Sequence, residues 1–286
     1  MSNSVKTVAA DYRRDGAAII RKALDPQWVR RMQNAVDRVI AAPGPAAVEY
    51  TAPGKSGRFV GDFFVWMRDR DFEALAKESP LPMLAGQIMQ ATDVRLFYDQ
   101  LLVKEPQTEE QTPWHQDLPY WPLRGGDVLS MWVALDSVTL TTGAVRYARG
   151  SHRSGALYAP AAFGKDSGFG AIYARMGLPP FPAGDVVERD YEMLSWDIEP
   201  GDAVIHHPLV FHAAGGNLST GSRRRAVSIR YMGDDVLLDG RPGTFIEKES
   251  VRALLKEPIA VNDGDRPSGA NFPIVWSRNG NEPKSM

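Results

Sequence analysis

The sequence predicts a mainly β protein, a sandwich or barrel, supported by helices at its N-terminal end. Three observations carry this. Apolar residues at helical spacing fall mostly before residue 92. Beyond that point, short runs rich in Val, Ile, Leu, Phe, Tyr and Trp recur, with Gly or Pro between most of them. Strands do not alternate with helices in βαβ fashion, which disfavours a doubly wound sheet.

Residues 8–22 are short and mixed, with a small strand over Ala17-Ala18-Ile19-Ile20 after Gly16. Asp25-Pro26 reads as a helix start, Asp as N-cap and Pro at the first helical position. Val29, Met32, Val36, Val39 and Ile40 give that helix one apolar face, and Pro43-Gly44-Pro45 stops it. Residues 43–58 read as a loop, and Pro82 to Ala91 as a second helix. The period then changes. Strands are expected over Val94–Lys104, Leu129–Leu135, Gly143–Ala148, Asp202–His206, Leu209–His212 and Arg224–Tyr231. Residues 153–193, rich in Gly, Pro and aromatics, interrupt this series, and a structureless insertion of that length is usually functional, often a lid. A short helix over Glu247–Leu255 and a Pro/Gly-rich tail carrying Phe272, Ile274 and Trp276 follow.

Composition excludes several classes. With a net charge of −2 there is no basic field for a nucleic-acid backbone. No cysteine is present, so thiolate metal sites, disulfides and cysteine nucleophiles are ruled out. No apolar run approaches membrane-spanning length, and the expectation is a cytoplasmic protein acting on a small-molecule substrate. Gly54-Lys55-Ser56 imitates the end of a phosphate loop, but Glu49 stands where its first glycine belongs. No serine-hydrolase elbow and no dinucleotide fingerprint occur.

The chemistry concentrates in Trp114-His115-Gln116-Asp117. In an extended strand His115 and Asp117 share a face, with Gln116 turned away. Of the five histidines, His212 ends an apolar run before a small-residue turn, which suits presentation of an imidazole. His206 and His207 precede Pro208 and read as structural, and His152 as a turn residue. Two histidines and one carboxylate on one face of a metal leave three positions open, as in non-haem Fe(II) oxygenases. A bidentate 2-oxo acid and then O2 can fill them. The far carboxylate of such an acid needs a cation, best supplied by the planar fork of arginine. In the run Arg223-Arg224-Arg225, alternation places Arg224 on one face with Ala226, Ser228 and Arg230, so Arg224 is the first choice and Arg225 the second. Tyr98 and Gln100 share a face that reads as pocket, and Lys104 falls on the same face near the strand end, where simple exposure is the competing reading.

Taken in order, His115-Gln116-Asp117-Leu118-Pro119-Tyr120-Trp121-Pro122, Trp132-Val133-Ala134-Leu135-Asp136, Gly143-Ala144-Val145, Gly150-Ser151-His152, Gly201-Asp202, His212 and Arg224 to Tyr231 resemble the phytanoyl-CoA dioxygenase family. The resemblance spans nearly the whole chain. It implies a double-stranded β-helix, a jelly-roll of the cupin kind, with flanking N-terminal α-helices. It implies one domain over 1–286: helical support to residue 92, a core over 93–235 interrupted by 153–193, and an extension over 236–286. It further implies Fe(II), 2-oxoglutarate as co-substrate and O2, with His115, Asp117 and His212 as iron ligands, Arg224 on the distal carboxylate, and Gln100 and Trp132 lining the co-substrate pocket. Arg149 stands where the family has proline before Gly150-Ser151-His152. Related halogenases replace the ligand carboxylate with a small residue, so Asp117 favours hydroxylation or desaturation. Tyr98, Tyr120 and Trp121 are expected at the substrate. In the insertion, Phe163, Phe169, Tyr173, Met176 and Phe181 favour an apolar or aromatic substrate, while Lys165, Arg175 and Arg189 are candidates to meet an acid. The competing readings are a non-catalytic cupin-like binding protein and a Zn or Mn hydrolase or isomerase on the same ligands.

Overall fold

Each helix at the N-terminal end is set by a cap and an apolar stripe. The computed structural model describes residues 4–161 and 169–280. Helix α1 (Val5–Asp15) starts at Ser4, whose side chain accepts from the Thr7 amide, and stops at Gly16 with φ +84°. It replaces the mixed segment expected there; Val5, Val8, Ala9 and Tyr12 are its unread stripe. After β1 (Ala17–Ile20), helix α2 (Pro26–Ala41) is capped by Asp25 as the sequence predicts, and Val29, Met32, Val36 and Val39 are buried. Strand β2 (Val48–Glu49) lies inside the expected loop and pairs with β3 (Phe59–Phe63), which the sequence reading leaves out. The same holds for α3 (Arg70–Glu78), capped by Asp69, whereas α4 (Leu81–Met89) matches its expectation.

The β region follows as β4 (Asp93–Lys104), β5 (Thr112–His115), β6 (Leu123–Arg124), β7 (Val128–Ala134) and β8 (Val145–Ala148). The insertion is not structureless where it is described. It contains α5 (Phe169–Tyr173), α6 (Gly184–Asp190) and β9 (Met193–Leu194), while Phe163 and Lys165 lie outside the described residues. Next come β10 (Ala203–His206), β11 (His212–Ala214), β12 (Arg224–Met232), β13 (Leu237–Leu238), α7 (Glu249–Arg252) and β14 (Ile274–Ser277). The strand expected over Leu209–His212 begins only at His212. Pro208 supplies no amide, and a turn donates the Val210 amide to the His207 carbonyl. The helix expected over 247–255 is a 3-10 turn plus the short α7.

The strands form a jelly-roll of antiparallel sheets. The main sheet runs β1-β10-β7-β12-β4-β3-β2, with β14 also on β4, and a smaller sheet runs β5-β11-β8-β9. Alternation along the central strands explains the layers. Met131, Val133, Val227, Ile229 and Tyr231 pack under the helices with Met32, Val36, Phe72 and Leu75. The alternate residues Trp132, Ala134, Val204 and Ala226 pack toward Val145, Tyr147 and Ala214 of the small sheet. Strand β7 is therefore buried on both faces. Met32 is fully buried in the helix-side layer. Met32→Ala should cost about 2–5 kcal/mol of stability, read as a lower urea midpoint with an unchanged slope.

Candidate active site

His115 and His212 are brought together by strand register. The last residue of β5 stands opposite the first of β11, and the two imidazole centroids are 4.0 Å apart. Each ring is oriented by its own backbone: Nδ1 of His115 donates to the Pro113 carbonyl at 2.8 Å, and Nδ1 of His212 to the Val210 carbonyl at 3.0 Å. This assignment leaves each Nε2 unprotonated. Burial lowers the pKa of both rings, His212 strongly and further so beside His115, so both are neutral imidazoles near pH 7.

Asp117 reaches them by a route different from the expected strand. The strand ends at His115, and Asp117 sits in helical backbone geometry at the start of a 3-10 turn, its amide on the Pro208 carbonyl. Its Oδ1 is 3.8 Å from Nε2 of both histidines, and one ligand atom from each residue falls within 4.8 Å of the others. One first-row ion bonding each at roughly 2.1 Å is compatible with this spread. Burial alone would raise the Asp117 pKa; Arg230, the hydrogen bond from His206 and the nearby His212 outweigh it and hold the carboxyl well below its usual range. Gln116 is turned away as expected. Its Nε2 donates to the Ala156 and Leu209 carbonyls, and its Oε1 accepts from the Tyr158 amide.

The trio opens on a cavity of about 1060 Å³, mouth included. Arg224 lines it and is 2% exposed. Its neighbours point elsewhere and are ion-paired, Arg223 with Glu105 and Asp37, Arg225 with Asp136. Arg224 lies 5.7 Å from the Trp132 ring and 6.0 Å from Phe59, and its buried Nε has no hydrogen-bond partner among the described residues. Burial lowers its pKa to about 10, partly opposed by Asp136, so it stays cationic at neutral pH. A buried cation with an unused donor is suited to an incoming carboxylate. Lys104, its register partner on β4, is fully buried, which overturns the exposed reading. Its Nζ lies over Phe59 and donates to the Gly215 carbonyl at 2.5 Å.

Gln100 and Trp132 both line the cavity. So do Tyr98, Tyr120 and Trp121; Trp121 Nε1 donates to the Tyr98 hydroxyl, and the Tyr120 hydroxyl to the Ala161 carbonyl. Tyr173, expected from the insertion, joins them, and Tyr50, Phe63 and Phe245, which the sequence does not single out, complete the aromatic side. Phe181 packs on Phe211 instead, Arg175 pairs with Glu247, and Arg189 pairs with Asp190. Of the other residues at the site, Arg230 and Ser228 are marked by alternation from Arg224 and Ser130 carries no local signal, while His206, expected to be structural, instead lines the cavity with its Nε2 3.2 Å from Asp117 Oδ2.

A jelly-roll with two histidines and one carboxylate converging on its cavity defines the class of iron- and 2-oxoglutarate-dependent oxygenases. Within that class the chain belongs to the phytanoyl-CoA dioxygenase (PhyH) family, whose sequence model matches residues 12–226. A probable phytanoyl-CoA dioxygenase of Caenorhabditis elegans is 29% identical over 193 residues, covering 65% of this chain and 59% of that protein. The peroxisomal phytanoyl-CoA dioxygenase of Rattus norvegicus is 24% identical over 250 residues, covering 82% and 70%. Among solved structures, the α-ketoglutarate-dependent epimerase SnoN from nogalamycin biosynthesis superposes with TM-score 0.72 at 22% identity, covering 95% of this chain and 98% of that one. The carbocyclase SnoK from the same biosynthesis does so with TM-score 0.72 at 23% identity, covering 96% and 99%. SnoN is also known in complex with Fe3+, α-ketoglutarate and nogalamycin RO. No helix among the described residues is long and apolar enough to cross a membrane.

Burial, and then the charge of Arg224, push the Lys104 pKa down to about 6, with Glu110 opposing weakly. Between about pH 6 and the unfolded lysine value near 10.4, the unfolded chain holds a proton that native Lys104 lacks, so this residue makes stability rise with pH. Lys104→Met should remove up to about 1.4 kcal/mol per pH unit of that slope. Urea unfolding of both proteins at pH 6, 7.5 and 9 checks it. Parallel stability profiles would show that the amine is not buried in its neutral form.

Proposed function

We propose that this protein is an Fe(II)- and 2-oxoglutarate-dependent dioxygenase that hydroxylates or desaturates an unactivated C–H bond of a small, largely apolar molecule. The observation that carries this is the convergence of His115 Nε2, His212 Nε2 and Asp117 Oδ1 in the cavity that also holds the unpaired Arg224. In this reading His115, Asp117 and His212 hold the iron on one face. Arg224 takes the distal carboxylate of 2-oxoglutarate against Trp132, and Gln100 borders the co-substrate. When bound, iron would activate O2 as the oxidant, with 2-oxoglutarate supplying two of the electrons as it is oxidised to succinate and CO2. The chain's own contribution is position and exclusion of water. Neutral imidazoles can ligate a metal without first losing a proton. An ionised Asp117 fills the place a halide would need, which favours hydroxylation or desaturation over halogenation.

The substrate side is read from the wall of Tyr50, Phe63, Tyr98, Tyr120, Tyr173 and Phe245, which is aromatic throughout with phenol hydroxyls as its polar groups. Arg175 and Arg189, the candidates to meet an acidic substrate, are committed to surface ion pairs. An uncharged molecule with aromatic or extended apolar surface fits such a wall.

Anaerobic addition of Fe(II) and 2-oxoglutarate should produce the weak visible band of their complex, and O2 should then release succinate. His115→Ala and Asp117→Ala should lower succinate formation to background. Arg224→Met should raise the KM for 2-oxoglutarate by roughly 10–100-fold, the loss of a charge-assisted contact worth about 1.5–3 kcal/mol. Full turnover by either ligand variant would sink the ligand reading. Full turnover with Zn(II) or Mn(II) and no 2-oxoglutarate would replace the oxygenase by a hydrolase or isomerase.

A further inference from the structure

The two oxygens of Asp117 face different partners. Oδ1 looks toward His115 and His212, whereas Oδ2 is turned to the main sheet. There Ser130 Oγ donates at 3.0 Å, His206 Nε2 lies at 3.2 Å, and Arg230 Nη2 lies at 3.8 Å. These three groups form one cross-strand row. Strand register pairs His206 of β10 with Ser130 of β7, and Ser130 with Arg230 of β12. Direct cross-strand neighbours project to the same face, so side chains from three adjacent strands converge on a single oxygen. A carboxylate only accepts, so His206 Nε2 carries the proton and Nδ1 is left to accept from the Tyr147 hydroxyl at 3.4 Å. Arg230 is itself held, by the Ser228 carbonyl and Gln100 Oε1, both at 3.0 Å, and by the Tyr98 ring at 4.6 Å.

We infer that the row His206–Ser130–Arg230 is a carboxylate clamp, which holds Asp117 by its outer oxygen and offers only Oδ1 to a metal. The inference rests on reading Asp117 as a metal ligand. The three are positioning residues that act through Asp117. An unrestrained carboxylate can turn both oxygens onto an ion and consume a position there. With Oδ2 engaged by two hydrogen bonds and a cation, that second contact costs all three interactions. The clamp thereby keeps positions open for co-substrate and O2, and it fixes the direction from which the third ligand approaches.

The test uses the full-length protein and metal alone. Ser130→Ala removes one donor with almost no change of shape, Arg230→Gln removes the charge, and Arg230→Lys returns it. Fe(II) affinity is measured anaerobically, and the visible spectrum of the Co(II)-loaded protein reports coordination number; thermal unfolding shows that each variant is folded. Ser130→Ala and Arg230→Gln are expected to weaken Fe(II) binding by about 10–100-fold and to change the Co(II) band intensity, with Arg230→Lys recovering part of both. Folded Ser130→Ala and Arg230→Gln proteins that match wild-type affinity and spectrum would overturn the clamp while leaving the oxygenase reading intact. Wild-type binding of Fe(II) by His115→Ala would overturn the ligand reading, and the clamp with it.

Discussion

The site depends on keeping one buried carboxylate ionised. Asp117 lies at the floor of a largely apolar cavity, where desolvation favours the neutral acid. Arg230, His206 and Ser130, gathered on Oδ2, reverse that preference. The cavity then holds Asp117 against two buried guanidiniums, with Arg224 free of any acidic partner among the described residues. Adding a divalent ion makes the excess of positive charge larger. A dianion such as a dicarboxylate is the complement that offsets the charge of the metal, one end at the metal and the other at Arg224. Charge balance thus points to the same co-substrate class as the ligand set does, from separate residues.

The two sheets contribute differently. The charges and the pocket walls sit on the long central strands: Arg224, Ser228 and Arg230 on β12, Ser130 and Trp132 on β7, Tyr98 and Gln100 on β4. These strands are locked by ladders on both edges, so their side chains have fixed spacing. The proposed ligands sit where strands of the small sheet end or begin, His115 at the end of β5 and His212 at the start of β11. Strand ends let the chain bend, and Asp117 uses that freedom to turn Oδ1 back toward the imidazoles.

This division explains what was legible in the sequence. His115, Asp117 and His212 could be grouped because their residue types and local surroundings are distinctive. A bend rather than strand alternation nevertheless joins Asp117 to His115. Arg224 was separable from its neighbours because alternation holds along a regular strand, and Glu105 and Asp136 occupy the other two arginines. Ser130 and His206 were not legible. Their importance comes from register between strands distant in sequence, and nothing local marks a serine or a histidine as facing a carboxylate. Lys104 stayed open between pocket and exposure for the same reason: polar residue type near a strand end allows exposure, while Phe59 and Arg224 on the adjacent strands bury it. The helices α1 and α3 carried readable caps and stripes at Ser4 and Asp69, signals as local as those of α2.

The substrate wall is joined to the metal trio through the residue between two of its members. Gln116 spends its amide on the carbonyls of Ala156 and Leu209 and on the Tyr158 amide, and the Tyr120 hydroxyl reaches the Ala161 carbonyl. The start of the insertion is therefore fastened to the ligand loop at both faces, and Tyr173 of the insertion packs edge-on against Tyr120. A change in the insertion alters the wall while these anchors keep the ligands in place. The insertion contributes Tyr173 to a wall whose other members include Tyr98 of β4 and Tyr120 just after Asp117, so the proposed ligands and the surface that faces the substrate are held by shared elements.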